Sequence, residues 1–223
     1  MLVVKGNLPL ESRCGKCWSM ARSRRPSRGT YHHGDLRRAA VARASEVAAS
    51  QGIDAVGLRS LARDLGVTHA ALTHHFGERR ALLQAVARDG FDALAEAMEG
   101  AARGAATPPD RARAIGAAYL GVARRLPGHF RVMFGREIIP QGEALPDELE
   151  RSSSRAFAAL IGTFGVEHLD ARTLAAWAGA HGLAILSAQG PLLEHAGSAA
   201  ALEALILETL EVIATRLSAT PPP

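Results

Sequence analysis

Residues 58–76 read LRSLARDLGVTHAALTHHF, and this stretch decides the fold. Ala62 stands four residues before Gly66, Val67 follows the glycine, and Leu72 comes five residues later. A small residue at 62 lets a second helix cross close to the first. Gly66 supplies the left-handed backbone that ends one helix inside a tight turn. Leu61, Leu65, Val67, Leu72 and Phe76 then face inward, and Thr68 stands where a helix-capping hydroxyl belongs. His69, Ala70, Thr73 and His74 face outward. In a helix-turn-helix that outward face enters the major groove of DNA. The same spacing also suits a short helical hairpin in an ordinary core.

Outward from this stretch the chain reads as helix after helix. Ala and Leu dominate, and runs of alternating β-branched residues are rare. The apolar spacing predicts helices at about 35–51, with Asp35 as N-cap and Gly52 as stop, and at about 58–65, 69–75 and 79–103. Pro108-Pro109 starts a fifth, which ends at Pro127, and others fit about 128–135, 146–164, 171–189 and 199–217. The expected fold is all-α, a three-helix helix-turn-helix domain followed by a larger helical domain. Its expected parts are a disordered basic arm (1–30), a helix-turn-helix domain (31–83), a larger helical domain (84–218) and a tail (219–223).

Composition narrows the classes. The 223 residues are 48% hydrophobic and 22% charged, a globular balance with enough chain for a core without staples. The longest weakly polar run, 174–188, is too short and too rich in Ala and Gly to span a bilayer. No early stretch combines a basic start, an apolar run of signal length and a cleavage site. The expectation is a cytoplasmic protein that does not contact the membrane.

The net charge of +4 is unevenly placed. Residues 1–30 hold seven basic groups against Glu11 alone, while the rest of the chain is nearly neutral. A basic arm suits a polyanion, because its charges displace counterions from phosphates, although a solvated tail shows the same composition. Met20 opens the run MARSRRPSRGTYHHGD and offers a second start for translation, which would leave 1–19 outside the protein.

The residues around the turn add to the pattern. Tyr31-His-His-Gly-Asp-Leu-Arg37 precedes the first helix, and His74-His-Phe-Gly-Glu-Arg-Arg-Ala-Leu-Leu83 leads into the fourth. With them, 31–90 resembles the N-terminal domain of the TetR family of bacterial transcriptional regulators. Trp177-Ala-Gly-Ala-His181-Gly182 resembles the motif of a TetR C-terminal class called WHG. The resemblance implies a homodimer that reads a palindromic double-stranded operator through two recognition helices. It also implies a C-terminal pocket for a small-molecule effector, whose binding releases a repressor. Expected DNA contacts are Arg59, Thr68, His69, Ala70, Thr73, His74, His75 and Arg79, with Arg24, Arg25 and Arg28 from the arm. The family has Tyr where Thr73 stands, which removes one aromatic hydroxyl from the backbone contacts. It has Lys near the place of Arg79, which keeps a phosphate-binding charge.

Trp177 and His181 lie one turn apart on a face shared with Leu174 and Ile185. They form either a core face with one satisfied histidine or the wall of a pocket with Phe130, Met133, Phe134 and Phe157. That face shows no evident polar partner for His181. Small residues in the same helix and the apolar stripe of the last helix suit a four-helix interface between two copies.

Other chemistries find little support. Cys14 and Cys17 form a lone CxxC, half of a structural zinc set and without the β-α-β context of a redox motif. His32-His33 and His74-His75 are adjacent pairs, whose side chains diverge on a helix. Neither a nucleophile–base pair nor a phosphate-cradling glycine loop is present, so no enzyme, no metal and no cofactor is expected. A helical effector-binding protein without DNA recognition is the remaining alternative.

Overall fold

The computed structural model describes residues 33–138, 144–164, 168–188 and 191–219. The expected basic arm, with Arg24, Arg25, Arg28, Cys14 and Cys17, lies outside the described residues, as does most of the expected tail.

Among the described residues the chain forms ten α-helices and no strand. They are α1 (His33–Gln51), α2 (Leu58–Asp64), α3 (His69–Phe76), α4 (Arg79–Arg103), α5 (Pro108–Arg125), α6 (Pro127–Met133), α7 (Asp147–Ile161), α8 (Ala171–Ala188), α9 (Pro191–Ala196) and α10 (Ala199–Ser218). Short 3-10 helices follow α1, α6 and α7. Two expectations need correction. α1 begins at His33, so Asp35 lies inside it rather than capping it, and α9 has no counterpart in the sequence reading.

Local chemistry starts four of these helices. Thr68, Thr107 and Ser198 each accept a backbone N–H of the first turn, from Ala71, Asp110 and Ala201. Pro108 and Pro109 sit in the first turn of α5, where their missing N–H groups have no helical partner to lose. Asp170 caps α8 by accepting from Thr173 N (2.8 Å) and also holds Arg172 (2.9 Å).

The core runs continuously from α1 to α10. α4 is its spine, packing against α1, α5, α6 and α7. Leu82, Leu83, Val86, Leu94 and Met98 form its buried side. α4 also crosses the 83/84 boundary expected from the sequence, so both expected domains share it. α6 lies so close to α1 that a Cβ at Gly128 would collide with the Ser45 carbonyl.

Candidate nucleic-acid interface and apolar cavity

α2 and α3 are joined by a turn in which Gly66 has φ 67°, a conformation that favours glycine. Val67 N–H donates to the Ala62 carbonyl (2.9 Å), closing the turn. Leu61, Ala62, Leu72 and Phe76 are buried, and Leu65 and Val67 pack against them. Arg43 of α1 grips Asp64 at the end of α2 through Nε (3.1 Å) and Nη2 (3.0 Å). Arg37 lies over the Phe76 ring, 5.7 Å from its centroid. A short, rigidly backed α3 results.

The outward face of α3 carries His69, Ala70 and His74, all exposed, with Thr73 half-buried beside them. Thr73 Oγ1 lies 3.5 Å from His69 Nε2. His75 is half-buried, its ring edge-on to His74 and tilted against Phe76. Thr68 spends its hydroxyl on the cap, and Arg59 is exposed on α2.

Arg79 is held by the backbone before α2. Its Nε donates to the Val56 carbonyl (2.7 Å) and its Nη2 to the Ile53 carbonyl (2.6 Å). The guanidinium pins the α1–α2 connection to the start of α4. These two bonds give Arg79 a structural duty that its charge alone did not suggest.

A cavity of about 410 Å³ opens between α4, α5, α6, α7 and α8. Phe91, Leu94 and Met98 come from α4, and Met133 with Phe134 from the end of α6. α7 adds Ser153, Ser154, Ala156, Phe157 and Leu160, while Tyr119 of α5 and Trp177 of α8 complete the wall. None of these side chains carries a formal charge. Met133, Phe134, Phe157 and Trp177 are thus brought together on one wall.

Phe130 and His181, expected on that wall, stand behind it instead. Their rings stack 5.3 Å apart, and His181 meets Phe134 edge-on at 4.8 Å. The polar partner missing from the sequence reading is Tyr119, whose hydroxyl lies 2.8 Å from His181 Nδ1. The same oxygen accepts Trp177 Nε1–H at 3.3 Å. Burial pushes the Tyr119 phenol well above its ordinary value and holds His181 below its own. Tyr119 is the residue sequence reasoning missed. A tyrosine on the buried stripe of α5, between Ile115 and Val122, was the available signal, because a buried phenol needs a partner.

α6 touches both regions. Phe130 and Met133 face the aromatic cluster, while Gly128, His129 and Arg131 meet α1. His129 Nδ1 lies 2.7 Å from Ser45 Oγ, and Arg131 Nη1 donates to the Ala48 carbonyl (2.8 Å) at the end of α1. Burial lowers the His129 pKa, with Asp89 opposing. Exposed apolar rows remain on α8 (Leu174, Ile185, Leu186) and α10 (Leu205, Val212). The two helices pack where Gly179 meets Ile213.

Among the described residues, no group of three or more His, Cys, Asp or Glu could hold a metal, and no helix is long and apolar enough to cross a membrane.

Residues 40–86 match the family model for bacterial regulatory proteins of the tetR family. Residues 112–210 match that for a tetracyclin repressor-like C-terminal domain. A solved protein of unknown function from Rhodococcus sp. RHA1 is 31% identical, with TM-score 0.66, covering 85% of this chain and 96% of that one. A bacterial regulatory protein of the tetR family from Rhodococcus RHA1 shares the fold at 22% identity and TM-score 0.61, covering 83% and 98%. A TetR family transcriptional regulator from Thermus thermophilus does so at 20% and 0.52, covering 79% and 97%. No protein of curated function matches the sequence.

Proposed function

Because the chain belongs to the TetR family of bacterial regulatory proteins, we propose that it is a cytoplasmic repressor that leaves its operator when a small molecule fills the cavity. It is a DNA-binding regulator rather than an enzyme, and its C-terminal half falls in the WHG class on Trp177, His181 and Gly182. The observation that carries effector release is the placement of α6. One face of this seven-residue helix borders the cavity, and the other is locked onto α1 through Gly128, His129 and Arg131. A ligand that displaces Met133 or Phe134 shifts α6, and α1 carries the helix-turn-helix with it. A ligand favouring the shifted arrangement then lowers operator affinity by population shift, with no chemistry required.

DNA is read by His69, Ala70, Thr73 and His74 on α3, with His75 at the edge of that face. Arg59 and the arm residues Arg24, Arg25 and Arg28 bind phosphate. Two copies meet through the exposed rows of α8 and α10, so the operator is palindromic.

Selection of bound duplexes from a random pool tests this reading. One recurring two-fold motif is expected. Retention that vanishes with salt and enriches no sequence would mean a helical effector-binding protein without DNA recognition.

A further inference from the structure

The cavity is walled almost wholly by carbon, and its few polar groups are unequal. Ser153 donates its hydroxyl to the Glu150 carbonyl (3.0 Å), and Ser154 is exposed. Tyr119 is the inner one, 2% exposed. A phenol offers two lone pairs and one proton. Trp177 Nε1–H occupies one lone pair. His181 Nδ1 takes either the other lone pair or the proton, according to which ring nitrogen is protonated. One hydrogen-bonding position of Tyr119 is left in both cases: the O–H in the first, a lone pair in the second.

We propose that the cavity takes an uncharged aromatic molecule bearing a hydroxyl or carbonyl oxygen, and that Tyr119 is the residue that selects for that oxygen. The inference rests on the effector reading above and names its ligand class. Three observations converge on it. Phe91 meets Phe134 edge-on at 5.8 Å and Phe157 meets Trp177 at 6.1 Å, an environment that favours a ring. No lining side chain is charged, so a carboxylate or ammonium would be desolvated without a counter-charge. Trp177 and His181 fix the hydroxyl in place, so a ligand oxygen meets a preset partner.

Three probes of nearly one shape test this on the full chain without DNA: 2-naphthol, naphthalene and 2-naphthoate, titrated by calorimetry. The expected result is 2-naphthol binding about tenfold more tightly than either of the others. Tyr119→Phe brings 2-naphthol down to the affinity of naphthalene. The proposal is overturned if naphthoate binds as well as naphthol, if naphthol shows no advantage over naphthalene, or if Tyr119→Phe keeps that advantage. The wild-type comparison decides even where the Phe variant folds poorly. Operator release is read separately: naphthol that binds with this selectivity yet leaves DNA binding unchanged supports the ligand class and contradicts only effector release.

Discussion

The Tyr119 hydroxyl lies 2.8 Å from Nδ1 of His181, a bond that joins α5 to α8 at the cavity wall. His181 also stacks on Phe130, so it serves packing as much as polarity. His181→Ala removes both contacts and is expected to destabilise the fold by about 1–3 kcal/mol. At about 2–4 °C per kcal/mol for a chain of this size, a clear fall in melting temperature follows. Operator affinity measured well below the melt should stay near normal. An unchanged melting temperature would contradict the packing role.

Arg79 and Arg59 should behave oppositely. Arg79→Ala frees the carbonyls of Ile53 and Val56, so it lowers the melting temperature and leaves the salt dependence of DNA binding as it was. Arg59→Ala leaves the melting temperature unchanged and reduces the salt slope by about one. Melts and salt titrations of both variants check this. A reduced slope for Arg79→Ala would return that residue to the phosphate.

Stability should fall in mild acid. Burial lowers the folded pKa of His129 and of His181 below 6.5, so in the window below 6.5 the unfolded chain takes up protons that the folded chain refuses. This cost is absent above 6.5 and grows as pH drops. Asp170, lowered to about 2 by its bonds to Thr173 and Arg172, loses its contribution only below about 4. Melts at pH 7.5 and 5.5 should therefore differ, and His129→Gln with His181→Gln should narrow the difference. A double variant with the full pH dependence would refute the assignment.

The N-terminal segment should divide at Met20. Removing residues 1–19 is expected to leave folding, dimerisation and DNA binding unchanged. Removing 1–29 also deletes Arg22, Arg24, Arg25 and Arg28, and should weaken operator binding most at low salt. Equal affinity of the two truncations at low and moderate salt would take the arm out of the mechanism.

What the sequence made legible follows from the range of the forces involved. Ala62, Gly66, Val67 and Leu72 act within a dozen residues, so their spacing alone describes the turn. The aromatic residues of the cavity were visible as residues with apolar neighbours. Which of them line it depends on how α6 and α8 pack, and Phe130 and His181 fell on the far side. The Tyr119–His181 bond spans 62 residues, and the Arg79 bonds to Val56 and Ile53 span 23 and 26. No local period announces such pairings. α9 is only six residues long, too short for an apolar period to emerge.

The central claim is that two copies of this chain read one symmetric DNA site. A footprint on the selected sequence, with the mass of the complex measured on the same DNA, tests it most directly. The account predicts two protected half-sites related by a dyad, their centres about 34–36 Å or a multiple of it apart, with an even number of protomers bound. A single asymmetric half-site bound by one protomer would contradict it.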